Sequence, residues 1–119
     1  MLARISKTRS RRISRHEFQE FVLRWAGRIG VQPRRIQVQP MSRKWASCST
    51  NGTLSFAADL LHEEAAFREY VVVHEILHLI APNHGKLFRS LLRTYLPNET
   101  QPTASCGFSR ERLTKKTTL

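Results

Sequence analysis

Hydrophobic positions near the start of the chain recur with the spacing of one helical face. Ser14 and Glu17 form a capping box in front of them. Gly30 and Pro33 follow the last apolar position and would end a helix there. The apolar positions are Phe18, Phe21, Val22, Trp25 and Ile29. We therefore predict an N-terminal α-helix.

A strand-like pattern replaces the helical one after Gly30. Arg34–Met41 alternates between apolar and polar residues, as a half-buried strand does. Residues 44–49 and 53–56 predict two further strands, and Asn51 and Gly52 between them are a strong hairpin signal. We expect a small antiparallel sheet.

The most apolar part of the chain is Glu63–Ala81, which contains neither glycine nor proline. Apolar residues fall on both sides of the helix that it would form, so we predict a helix that is buried nearly all round. A shorter helix, about Lys86–Tyr95, is predicted before Pro97. Together these elements indicate the α+β class.

Charge is distributed unevenly along the 119 residues, which suffice for one domain. The formal net charge is +11, and basic residues cluster at the two ends. We expect a basic arm at residues 1–13, a single domain at 14–97 and a basic tail at 98–119. The basic ends could attract nucleic acid or ribosomes, although without aromatic residues among their cations they would not read a base sequence.

The composition points to a cytoplasmic location, and we expect the protein to be a monomer. The longest uncharged apolar run, Tyr70–Val73, is far too short to span a bilayer, so no membrane partner is expected. Charged residues occupy the first positions of the chain, where a secretory signal needs an apolar stretch, so we do not expect secretion by that route. The absence of acidic residues before Glu17 also suits a mitochondrial transit peptide, which is an alternative. Cys48 and Cys106 are the only cysteines, too few for a disulfide framework.

Candidate metal ligands lie within the apolar helix, where His74 and His78 belong to an HExxH sequence. Residues four apart differ by about 40° around a helix and about 6 Å along it, so both imidazoles face one point. A catalytic zinc ion takes three protein ligands and keeps a fourth position open. Since Pro82 disfavours further helix, a chain reversal there could return His84 to the same ion.

Glu75 is the candidate general base. It projects about 100° around the helix from His74, outside the reach of the shared ion but suited to accept a proton from a water molecule that zinc activates. The alternative is that both histidines are simply packed or solvated without metal. Two imidazoles and a carboxylate in so apolar a helix would each need a polar partner, and one zinc ion would supply it.

Three segments resemble a known family, the YgjP-like metallopeptidases. They are Lys44–Ser49, Tyr70–Leu79 and Pro82–Phe88, and they occur in the family's order. The resemblance covers about residues 15–97. These proteins are small relatives of the gluzincins and of the SprT-like and WLM proteases.

The resemblance implies a minigluzincin-like α+β domain and a zinc-dependent peptidase. The chain departs from the family where Lys44 and Ala46 replace its usual Arg and Gly, which concerns contacts along the strand rather than the metal. The resemblance implies that the ligands of one zinc ion are His74, His78 and His84. It also implies that Glu75 is the catalytic glutamate.

Alternative ligands and functions remain open at this point. Glu99 would be the third ligand in a thermolysin-like arrangement, whereas metzincins need glycine in place of Ala81. Cys48 and Tyr95 are expected in the core. Besides a peptidase acting on peptides or proteins, possibilities are a nucleic-acid- or ribosome-associated protein with structural zinc, and a zinc hydrolase of phosphoesters or nucleotides. Glu75 favours hydrolysis, because a structural site gains nothing from a carboxylate outside the coordination shell.

Overall fold

The computed structural model of the chain describes residues 12–97. The predicted basic tail and nearly all of the predicted basic arm lie outside this range. The described helices and strands assign the chain to the predicted α+β class. In chain order they are α1 (Arg15–Ile29), β1 (Arg35–Gln39), β2 (Ala46–Cys48), β3 (Thr53–Ala57), a 3-10 helix (Ala58–His62), α2 (Ala65–Leu77) and α3 (Lys86–Tyr95).

Helix α1 begins and ends as the sequence predicts. The Glu17 N–H donates to Ser14 Oγ at 3.0 Å, and the Ser14 N–H donates to Glu17 Oε1 at 3.0 Å, which completes the capping box. Gly30 ends the helix with a φ of 95°, in the left-handed region that favours glycine, and its N–H donates to the Ala26 carbonyl.

The sheet is mixed, so the expectation of a purely antiparallel sheet is wrong. Its strand order is β1-β3-β2, with β2 antiparallel and β1 parallel to β3. The predicted hairpin joins β2 to β3, and Gly52 occupies its left-handed position with a φ of 93°. Strand β1 pairs with β3 over five residues, whereas the three-residue β2 would offer it fewer ladder bonds.

Helix α2 is shorter than Glu63–Ala81, the predicted span. Residues before it form the 3-10 helix, which buries Leu60 and Leu61. After Leu77 the turns tighten, since the N–H of Ile80 donates to the Leu77 carbonyl three residues back, at 2.9 Å. The HExxH sequence therefore occupies the final α-helical turn and its cap.

Helix α2 lies at the centre of the domain and contacts α1, β2 and α3. Every residue from Phe67 to Leu77 except Glu69 is buried, as predicted for a helix covered nearly all round. Edge-to-face aromatic pairs join α1 to β3, through Phe18 and Phe56, and the residue just before β2 to α2, through Trp45 and Phe67. In residues 12–97, no helix has the length and apolarity needed to cross a membrane.

Candidate metal centre

The three predicted ligand histidines meet at one point beside the end of α2. One ring nitrogen from each of His74, His78 and His84 lies within 4.8 Å of the others. The Nε2 atoms of His78 and His84 are 3.1 Å apart. Two nitrogens at 2.0–2.1 Å from one tetrahedral zinc ion would be about 3.3 Å apart, so the spacing fits a shared ion.

Buried polar atoms without partners independently indicate that the site is built for a ligand. Both ring nitrogens of His74 and both carboxylate oxygens of Glu75 are buried and have no hydrogen-bond partner in the described part of the chain. His74 Nδ1 lies 3.4 Å from Glu75 Oε2, but these atoms do not form a hydrogen bond. Buried polar groups are almost always paired in proteins, so four unpaired atoms on adjacent residues require an explanation. A cation held by the imidazoles would provide one.

The backbone after α2 fixes which nitrogen of His78 is available. His78 Nδ1 lies 3.1 Å from the Ala81 carbonyl oxygen, which can only accept, so Nδ1 carries the proton. The lone pair is then on Nε2, the atom that faces His84. Hydrogen bonds of this kind orient metal-ligating histidines.

The chain reversal that the sequence predicts after Pro82 brings His84 to the site. Asn83 stabilises the reversal, because its side-chain Oδ1 accepts the Gly85 N–H at 3.2 Å. Arg89 donates to the His84 carbonyl at 3.4 Å from the first turns of α3. Helix α3 begins directly after Gly85, so the third histidine is held between two helices.

Phe88 forms the apolar side of the site. Its ring centroid lies 4.7 Å from that of His78 with an interplanar angle of 20°, which is a stacked arrangement. Edge-to-face contacts join the same ring to His74 at 5.1 Å and to His84 at 4.8 Å. Phe88 is the one buried residue of α3. Because its ring contacts all three imidazoles, it limits the conformational freedom of all three.

Comparison with known proteins adds independent information. The YgjP-like metallopeptidase domain matches residues 2–105. The chain belongs to the YgjP-like family. A search among curated proteins finds no match.

Two solved structures resemble this YgjP-like chain, and both are metallopeptidase zymogens. Abylysin of Pyrococcus abyssi has 27% identity and a TM-score of 0.59, with 67% of this chain and 81% of that chain covered. Jannalysin of Methanocaldococcus jannaschii has 25% identity and a TM-score of 0.57, with coverage of 71% and 84%. These likenesses agree with a minigluzincin-type fold.

Burial dominates the electrostatics of this YgjP-like site in the metal-free chain. It lowers the pKa of His74 to about 4 and lowers the pKa values of His78 and His84, so the imidazoles are neutral and able to bind a metal. It raises the pKa of Glu75 to about 8, although electrostatic interactions with His78 and Lys44 act in the opposite direction. A bound cation would likewise favour the ionised carboxylate.

Other predicted residues occupy different positions. Tyr95 packs edge to face on Trp25 at 6.2 Å and is half-buried, as expected of a residue at the core boundary. Cys48 is half-buried, and burial with the nearby Glu75 carboxylate raises the pKa of its thiol to about 11. Glu99 and Cys106 lie outside the described residues.

Two contributors to the site were not predicted as such. Phe88 follows His84 by four residues and lies in the first turn of the predicted third helix. That spacing was the available signal that the two rings could meet. The Ala81 carbonyl left no signal in the sequence, because a backbone oxygen is available at every position.

Proposed function

We propose that the chain is a zinc-dependent peptidase in which His74, His78 and His84 hold one zinc ion and Glu75 is the general base. The observation that carries the proposal is the set of unpaired buried atoms of His74 and Glu75 beside two further imidazoles. Three neutral nitrogen donors suit zinc better than magnesium or calcium, which prefer oxygen. When bound, a zinc ion would polarise the scissile carbonyl and make a water molecule more acidic.

Glu75 is positioned for proton transfer. Its carboxylate is fully buried and adjacent to His74, but it is not part of the group of three histidine nitrogens. As general base, the carboxylate accepts the proton of the attacking water and then passes it to the amide nitrogen as the peptide bond breaks. The shielded surroundings of Glu75 strengthen its interactions with the reacting groups.

The coordination number also supports hydrolysis over a structural metal. In residues 12–97, the group of candidate ligands consists of three histidines with no fourth Cys, Asp or Glu. A structural zinc site normally uses four protein ligands, whereas a catalytic site has three. One position would therefore remain for water or substrate.

Strand β2 is an edge strand of the sheet, and its half-buried end at Cys48 offers a binding place for an extended peptide. In the ladder with β3, the Ser49 N–H donates to the Thr53 carbonyl and the Ala57 N–H donates to the Trp45 carbonyl, both at 2.9 Å. Antiparallel residues alternate in the direction of their backbone groups, so those of Ala46 and Cys48 point away from β3. Ala46 is fully buried, so an added peptide strand would bond to the backbone of the half-buried Cys48. Strand β2 itself packs against α2, the helix of the HExxH sequence.

Metal content and cleavage of a denatured protein, measured together, test the proposal. Wild type, Glu75→Gln and the matched control Glu64→Gln should each retain about one zinc per chain. Glu64 is an exposed residue at the start of α2 whose side chain makes no capping bond. We expect Glu75→Gln to lose about 10²–10⁴-fold in cleavage of reduced casein, the usual contribution of a general base. Full activity of Glu75→Gln, or of the zinc-free wild type, would show that the assigned roles are wrong.

A further inference from the structure

A second cavity adjoins the metal centre and has a chemistry of its own. It has a volume of about 610 Å³, and we refer to it as the hairpin pocket. One wall is the turn at residues 49–52, and a second wall, from a separate part of the chain, contains Leu79, Ile80 and Pro82. His78 also lines the cavity, so the hairpin pocket adjoins the group of histidines through this one residue.

The lining of the hairpin pocket carries no formal charge among the described residues, although the chain as a whole has a net charge of +11. Its apolar contributors include Val31 together with the wall that follows α2. Ile80 is 39% exposed, so its apolar side chain is accessible to a ligand. Polar side chains such as Gln32 and Asn51 also line the pocket, but none supplies an opposite charge. A charged group entering it would lose hydration without gaining an ionic partner, whereas an apolar group would gain by burial against the apolar wall.

We propose that the hairpin pocket receives an uncharged, apolar side chain of the substrate close to the scissile bond and that Ile80 and Thr50 determine this preference. The inference rests on the proposed peptidase function. Strand β2 leads directly into the turn that forms one wall, and Cys48 itself lines the pocket, so a peptide paired with β2 at Cys48 would lie beside the pocket. Side chains alternate along such a peptide, so every second one faces the same side.

Charge substitutions on the two walls test the inference without requiring turnover. The zinc-loaded Glu75→Gln protein is applied to an array of randomised decapeptides that lack His and Cys, which removes direct binding of peptide side chains to the metal. The same measurement is made after adding Ile80→Lys, Thr50→Lys or the control Leu23→Lys. Leu23 is a 55% exposed apolar residue on α1 and does not line the pocket.

We expect the parent protein to select an apolar residue at one fixed peptide position. Ile80→Lys and Thr50→Lys should each shift that position towards Asp and Glu, by about two- to fivefold as for exposed charge pairs, and Leu23→Lys should not. Because the two lysines are introduced in separate segments of the chain, a shared shift cannot arise from local unfolding of one wall. An unchanged preference, an equal shift with Leu23→Lys, or no selective binding would overturn the inference.

Cleavage by the same variants with Glu75 intact separates this inference from the proposed function. A switched array preference without any cleavage would overturn the peptidase assignment and leave the hairpin pocket as a peptide-binding site. Cleavage by Ile80→Lys and Thr50→Lys at sites with the same apolar residue preference as the wild type would overturn the role of the hairpin pocket. The peptidase assignment would then still stand.

Discussion

The buried carboxyl of Glu75 should make the metal-free protein less stable as the pH rises. Its side chain is fully buried and both oxygens lack hydrogen-bond partners in the described chain. Burial raises its pKa from 4.5 to about 8, so between these values the folded chain keeps a proton that the unfolded chain releases. The unfolded state therefore binds fewer protons, and the free energy of unfolding falls as the pH rises through this window.

The magnitude follows from the two pKa values. A difference of one pKa unit corresponds to about 1.4 kcal/mol, so the shift from 4.5 to about 8 amounts to about 5 kcal/mol above pH 8. Only about 1 kcal/mol of this applies at pH 5. Glutamine keeps the shape of the side chain and cannot ionise. The gain in unfolding free energy from Glu75→Gln should therefore increase by about 4 kcal/mol between pH 5 and pH 9.

His74 gives the opposite pH dependence, but it does so in both proteins. Burial lowers its pKa from 6.5 to about 4, so the unfolded chain binds an additional proton as the pH falls through that range. Stability is lost towards acid in wild type and variant alike. The difference between the two proteins consequently isolates Glu75.

Urea unfolding followed by circular dichroism, with a chelator present and at each pH unit from 5 to 9, measures this difference. Glu64→Gln serves as the matched control, since Glu64 is exposed at the start of the same helix. A difference between wild type and Glu75→Gln that stays constant with pH would refute the reasoning. So would a variant that is less stable than wild type at pH 9.

Two further substitutions test the β2 edge and the apolar side of the site. Cys48→Pro, at a half-buried residue, removes an N–H that points away from β3, so the fold and zinc content should persist while casein cleavage falls about tenfold for the lost hydrogen bond. Unchanged cleavage would show that peptides do not dock there. Phe88→Leu removes the ring stacked on His78 and should weaken zinc binding about 10-fold or more, measured by competition with a chelator. The control Leu87→Ala, at a 56% exposed neighbour, should leave zinc binding unchanged. Equal zinc affinities of the two variants would exclude a positioning role for Phe88.

Local chemistry made several elements predictable. The capping box at Ser14 and Glu17, the left-handed Gly30 and the hairpin at Gly52 each depend on residues within a few positions of one another. The convergence of His74 and His78 follows from helical geometry alone. The prediction for His84 assumed that Pro82 ends the helix, whereas α2 already ends at Leu77. The reversal that brings His84 back is nevertheless present, and Asn83 stabilises it.

Features that depend on distant partners were not predictable in the same way. The alternation in Arg34–Met41 identifies a strand but carries no information about its direction, so the parallel pairing of β1 with β3 was missed. The absence of glycine and proline from Glu63–Ala81 permits a helix without fixing its ends. Those ends depend on the tertiary burial of Leu60 and Leu61 and on the tightened turns after Leu77.

The most polar part of the core is also the part that the hydrophobic pattern explains least. A helix stabilised only by burial would gain from apolar residues in place of His74 and Glu75, because their four polar atoms are desolvated without compensation in the metal-free chain. The two residues adjoin a pair of imidazoles whose nitrogens already lie 3.1 Å apart. A single cation would use the lone pair of His74 and favour the ionised form of Glu75. The local cost to stability and the capacity for hydrolysis therefore have the same physical origin.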